Sequence, residues 1–147
     1  MGLVQTQGVH SHVDHLHALL DHLLTTSLDV ELHLFTDGRD APVHASTDKI
    51  KRVQDRIQDS NVSIASISGR YYAMDRDHRW DRTEKAYNAI HEATGPYYNG
   101  SALEYIKSRH SDDETDEFIT PAYRSNYNGV DEDDAVIFYN FRGDRPR

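Results

Sequence analysis

"VSIASISGRYYAMDR", residues 62–76, passes from an alternating β-branched stretch through Gly69 into a segment that carries Arg70 and Arg76. The β-branched residues Val62, Ile64 and Ile67 predict a strand over 62–68, and a glycine followed by charged residues marks its end. The same grammar recurs three times. GLVQ at 2–5 is followed by QGVHSH, VELHLF at 30–35 by TDGRD, and AVIFYNF at 135–141 by RGDR. The last run is continuously apolar, so it is predicted as a central strand buried on both faces.

Helical periodicity fills the intervals. Val13, Leu16, Leu20, Leu23 and Leu24 fall on one stripe of a helix over 11–26, started by Ser11 with Asp14 three positions on. Ile50, Val53 and Ile57 mark a second helix over 45–58. A third over 80–93 is expected to bury Trp80, Tyr87 and Ile90 before Gly95 and Pro96 stop it, and a shorter one covers 102–109. Strands alternating with helices at this spacing predict an α/β fold: a mainly parallel sheet flanked by helices as a three-layer sandwich. At 147 residues the chain is expected to be a single unit, 1–147.

Lys and Arg total 16 against 25 Asp and Glu, a net charge of −9, which argues against a nucleic-acid partner. Of the basic residues 12 are Arg, the side chain suited to planar, bidentate anion binding. There is no cysteine, which removes disulfides and thiolate metal sites, and neither a signal-like N-terminus nor a span-length apolar run occurs. The expectation is a cytoplasmic protein with no membrane partner.

In open parallel sheets, ligands bind beyond the carboxyl ends of the strands. Four strand-end loops would thus bring His10, Arg39, Asp40, Arg70, Arg76, Arg142 and Arg145 to one edge. Five guanidiniums exceed what one carboxylate needs, so a phosphate, or a phosphate with a carboxylate, is the expected ligand. Gly8, Gly38, Gly69 and Gly143 adjoin these residues, where a close backbone approach wants no side chain. Ion pairing with Asp75, Asp77, Asp81 and Asp144 is the competing use of the arginines.

Five of the ten histidines lie between positions 10 and 22, and a metal held by His12, His15 or His22 is a weaker alternative, because the spacing is not that of a helical zinc pair. The acidic runs at 112–117 and 131–134 lack a calcium-loop pattern and read as solvated faces. No dinucleotide, P-loop or nucleophile-elbow pattern occurs, and Ser11 is read as a helix cap rather than a nucleophile.

GVHSH at 8–12, DGRD at 37–40, SGRYYAMDRDHRWDR at 68–82, TDEF at 115–118 and VIFYNFRGDR at 136–145, in that order, closely resemble the cofactor-independent phosphoglycerate mutases. The resemblance covers part of that family's inserted substrate domain. It implies interconversion of 3-phosphoglycerate and 2-phosphoglycerate in glycolysis and gluconeogenesis, without a bisphosphoglycerate cofactor. It further implies that His10, Arg39, Asp40, Arg70, Arg76, Arg142 and Arg145 bind substrate, with Asp40 as candidate acid/base. In the family, a serine and two manganese ions act from a phosphatase-like domain for which this sequence shows no counterpart. The chain is therefore expected to hold no metal itself, to be inactive alone, and to work with a phosphatase part, one candidate being a separate chain. Two departures stand out: QTQ at 5–7, where the family commonly has an acidic residue and a glycine, and Gly143 inside FRGDR. A non-catalytic module that binds phosphoglycerate or another organic anion is the alternative function.

Overall fold

The computed structural model describes residues 1–146; Arg147, the last residue of the expected unit, lies outside them. In chain order the elements are β1 (Gly2–Leu3), α1 (Val13–Leu23), β2 (Val30–Thr36), α2 (Ser46–Arg56), β3 (Val62–Gly69) and α3 (Arg70–Ala73). There follow α4 (Trp80–Tyr87), prolonged by a π-helical turn (Asn88–Glu92), then β4 (Tyr97–Tyr98), α5 (Ala102–Ser111), a 3-10 turn (Asp116–Phe118) and β5 (Ala122–Arg124). The strands form one sheet in the order β1-β2-β3-β5-β4. β1, β2 and β3 are parallel; β5 runs antiparallel to β3 and parallel to β4. The α/β class with a mainly parallel, helix-flanked sheet is thus observed.

Strand alternation separates two cores. Leu34 faces a large cluster built from Leu16 and Leu20 of α1, Ile50 and Val53 of α2, and Ile106 of α5. Its neighbour Phe35 faces the other way, onto Leu3, Met74 and the partly buried Ile90 and Phe138. Period-two side-chain direction turns one strand into the partition between two helical layers. A register shift after Leu32, where His33 pairs with Ser66, adds one residue to β3 and re-aims its end.

Several expected elements are corrected. The run at 135–141 is not a central strand: Val136, Ile137 and Phe141 are exposed, and the segment lies alongside β1. The Met1 amine donates to Ile137 O (2.6 Å) and Tyr139 N donates to Met1 O (3.1 Å), a parallel-type pairing. The side chain of Asn140 then accepts from Leu3 N (2.9 Å), and a side-chain acceptor in place of a carbonyl ends the ladder there. Trp80 is 65% exposed, its ring in a T-shaped contact with His78, and Tyr87 is exposed too; the buried face of that helix is Ala86 and Ala89. Ser11 does not cap α1. Its hydroxyl donates to Leu3 O, and His12 is the N-cap, its Nδ1 accepting from Asp14 N (3.2 Å).

The acidic stretch at 112–117 is not wholly solvated. Asp116 is buried and accepts from Ser46 N (2.8 Å), Ser46 Oγ (2.5 Å) and His110 Nε2 (2.8 Å). It pins the 3-10 turn between the loops that follow β2 and β3. Two glycines admit that wedge: a Cβ on Gly38 would meet Glu117 N at 2.6 Å, and one on Gly69 would meet Glu117 O at 2.4 Å. Gly38 also has φ +67°, a left-handed conformation that side chains other than glycine's resist.

Candidate ligand site at the strand ends

β1, β2 and β3 end side by side, so the loops after them meet. Arg70 is the first residue beyond β3 and only 2% exposed, which is tolerable for a guanidinium only if it is paired. It is paired twice. Its Nη1 donates to Asp37 Oδ1 (2.6 Å) and to Asp40 Oδ2 (2.6 Å), both from the loop after β2. Its Nη2 donates to Nε2 of His10, from the loop after β1 (3.1 Å). Arginine can only donate, so Nε2 carries the lone pair and the neutral ring holds its proton on Nδ1. Burial and then the Arg70 charge hold the His10 pKa below its ordinary value, against the opposite pull of Asp144 and Asp40.

Two residues that the sequence reading passed over organise this centre. Buried Asp37 accepts from Arg70 and, through the same Oδ1, from Asp40 N (3.1 Å), while Oδ2 accepts from Gln5 Nε2 (2.6 Å). Gln5 Oε1 in turn accepts from Val9 N (3.1 Å) and His10 N (2.9 Å). One carboxylate and one amide thereby tie three loops together. The signal for Asp37 was available, since an Asp before Gly in a strand-end turn commonly hydrogen-bonds the backbone two or three residues on. For Gln5 the residue type carried no such signal.

The remaining arginines gather in front of this pair. Asp144 Oδ1 lies 3.1 Å from Arg142 Nε and 3.5 Å from His10 Nδ1, and its Oδ2 lies 3.5 Å from Arg76 Nη1. Arg39 and Arg145 line a narrow cleft of about 30 Å³ together with Arg70, Tyr71, Arg82 and Glu117. Arg145 Nη1 donates to Met74 O (3.0 Å), and Arg39 reaches Glu117 at 3.5 Å. Burial and then the neighbouring Arg76, Arg70 and Arg39 charges lower the Arg145 pKa, the mark of cations crowded beyond what local carboxylates offset. Arg82, on α4, stacks its guanidinium over Tyr71 at 3.9 Å and forms part of the cleft wall. Glycine 143 has open space around its Cβ position, so that departure crowds nothing.

The structure therefore brings together all seven residues selected from the sequence: His10, Asp40 and Arg70 in direct contact, Arg76 and Arg142 through Asp144, and Arg39 and Arg145 along the cleft. For Asp40, burial raises the pKa, but the hydrogen bond and charge of Arg70, helped by His10 and Arg39, outweigh it and hold the carboxylate below its usual range. A larger cavity of about 300 Å³ opens near Gln54, Ser63, Ser101 and Arg124, at the opposite end of β3. It collects none of the strand-end residues, and the small polar cleft is the better candidate despite its size. Among the described residues no group of three His, Asp or Glu side chains is placed to share a metal ion. Asp37 and Asp40, the two carboxylates that meet at this centre, already grip a guanidinium where a cation would sit, so these residues do not fit a resident metal. His12 and His15 have ring centroids 6.3 Å apart, and His15 packs its edge on Phe141.

A family model described as "BPG-independent PGAM N-terminus" matches residues 1–147. The 2,3-bisphosphoglycerate-independent phosphoglycerate mutase of Symbiobacterium thermophilum is 47% identical over 150 residues, covering 100% of this chain and 29% of that protein. The protein of that description from Staphylococcus haemolyticus is 48% identical over 147 residues, covering 98% and 29%. Leishmania mexicana phosphoglycerate mutase, in crystals at low cobalt concentration, superposes with a TM-score of 0.89 at 27% identity, over 99% of this chain and 29% of that one. The chain thus spans about 29% of the length of the curated relatives it matches.

Proposed function

The chain belongs to the BPG-independent PGAM N-terminus family, and from that premise we propose that it is the substrate-holding part of a phosphoglycerate mutase of glycolysis and gluconeogenesis. The observation that carries the reading is the convergence of five arginines with His10 and Asp40 at the carboxyl ends of three parallel strands. A three-carbon acid bearing a phosphate has two anionic ends, and this array has enough fixed cations for both.

In this reading Arg39, Arg70, Arg76, Arg142 and Arg145 bind and orient the glycerate while a phosphatase-like part, in the same polypeptide or another, parks the phosphoryl group. The family's manganese ions belong to that part, where they would supply electrophilic activation. Asp40, kept ionised by Arg70, accepts the proton of the glycerate hydroxyl as that oxygen takes up the phosphoryl group. Neutral His10 holds the Arg70 guanidinium through Nε2 and directs Nδ1–H toward the ligand space. A phosphorylated metabolite as ligand supports a cytoplasmic setting.

The test is a calorimetric titration of the 147-residue chain with 3-phosphoglycerate, beside Arg76→Ala and Arg142→Ala. Both side chains are about half exposed, so the fold should tolerate their loss. Each removes a charge-assisted contact worth about 1.5–3 kcal/mol, a tenfold or greater weakening. Binding that is equally poor in all three proteins would defeat the proposal. Incubation with manganese alone should yield no mutase turnover, because among the described residues no group of side chains is placed to hold that metal.

A further inference from the structure

Asp144 occupies an odd position for a carboxylate that belongs to the fold. It stands inside the arc of cations, facing Arg142, Arg76 and His10 Nδ1 at 3.1–3.5 Å. Yet neither its Oδ1 nor His10 Nδ1 makes an aligned hydrogen bond, although both atoms are buried. Compare Asp37, whose two oxygens are saturated by donors from three loops at distances down to 2.6 Å. Asp37 is built in, whereas Asp144 is held by charge alone, with a third of its side chain still in solvent. The neighbouring Arg145 Nε is likewise buried without a partner, so among the described residues this donor has no acceptor.

We propose that Asp144 is an internal counter-anion: it occupies the seat of a ligand's anionic group, must be displaced on binding, and so sets a threshold that favours two-headed organic phosphates over inorganic phosphate. The inference deepens the proposed function and rests on it for the identity of the two-headed ligand. The logic is competition. A single small anion exchanges one carboxylate for one phosphate at Arg142 and Arg76 and gains little. A ligand with a second anionic group also engages Arg39 and the Arg145 Nε that has no acceptor among the described residues, contacts that Asp144 does not make. The loop at 142–145 is anchored independently of Asp144, since Phe141 N and Arg142 N both donate to His10 O (3.0 and 3.3 Å). Displacing the carboxylate therefore needs only a local swing.

The experiment measures binding of inorganic phosphate and of 3-phosphoglycerate to the wild-type chain, Asp144→Asn, Asp144→Ala and Asp77→Asn. Asp77 borders the same cleft but forms no ion pair among the described residues, so it reports the effect of merely removing a nearby charge. Releasing two partly exposed ion pairs should tighten phosphate binding by about five- to tenfold in both Asp144 variants. The gain for 3-phosphoglycerate should be smaller, so that the preference for it over phosphate falls. Asp77→Asn should stay within about twofold of wild type. Weaker or unchanged phosphate binding in the Asp144 variants, or an equal gain in Asp77→Asn, overturns the counter-anion. Failure of wild type to bind 3-phosphoglycerate would instead sink the proposed function, and the phosphate measurements would still decide the role of Asp144.

Discussion

His33 offers the sharpest link between the fold and solution behaviour. It sits at the register shift of β2, 6% exposed, with Nδ1 2.8 Å from Ser66 Oγ and its ring edge-on to Tyr127. Burial, and secondarily the Met1 ammonium, push its pKa down from 6.5 to about 4. The unfolded chain therefore binds a proton between about pH 6.5 and pH 4 that the folded chain refuses, so stability is full above pH 6.5 and falls with pH through that window. Linkage with these two values gives a loss of about 2 kcal/mol at pH 5 and about 3 kcal/mol at pH 4. Urea unfolding of the wild type and of His33→Leu at pH 7 and pH 5 isolates the term, because other acid-sensitive groups are common to both. The wild type should lose about 2 kcal/mol more than the variant between those pH values, visible as about 6 °C in relative Tm. Parallel pH profiles would refute the claim that a buried neutral His33 governs acid sensitivity.

Two further outcomes test the loop framework. Asp37→Asn keeps the shape but removes the charge that anchors Arg70 and Gln5, and should cost about 2–3 kcal/mol in chemical denaturation as well as weakening 3-phosphoglycerate binding; an unchanged midpoint would contradict its role. Gly69→Ala would drive a methyl group against Glu117 O and so expel the 3-10 turn, costing about 1–3 kcal/mol and raising amide exchange at residues 116–119.

What could be read from the sequence divides along a physical line. β2 and β3 were legible because an apolar alternation and a β-branched run end at Asp-Gly and Gly-Arg, and the strand-end rule then collected seven candidate residues that the fold places in one region. β4 and β5, two and three residues long, were invisible: their pairing is imposed by partners such as Ser66 and Ile67, not by any local pattern. The run at 135–141 shows the opposite failure, where apolarity suggested a central strand but one side chain, Asn140, diverted the ladder. Trp80 misled because its bulk implied burial, whereas small Ala86 and Ala89 let the helix approach the core. Asp116, Asp37 and Gln5 were missed for a common reason. A buried polar residue is made tolerable by donors far away in sequence, as Ser46 is 70 residues from Asp116, and no local periodicity reports them.

The pairing of Met1 with residues 137 and 139 also bears on how the molecule reaches its native state. It joins points 136 residues apart, and the same junction carries the loop bearing Arg142, Asp144 and Arg145. Closing a loop of that length costs about 4 kcal/mol of chain entropy, against hydrogen bonds that are few and partly exposed. Such contacts tend to form late, after the β2–β3 partition and its two helical layers have condensed. Two of the five arginines, Arg142 and Arg145, thus wait on that late closure, and the capacity to grip a dianion becomes a reporter of complete folding rather than of any early core.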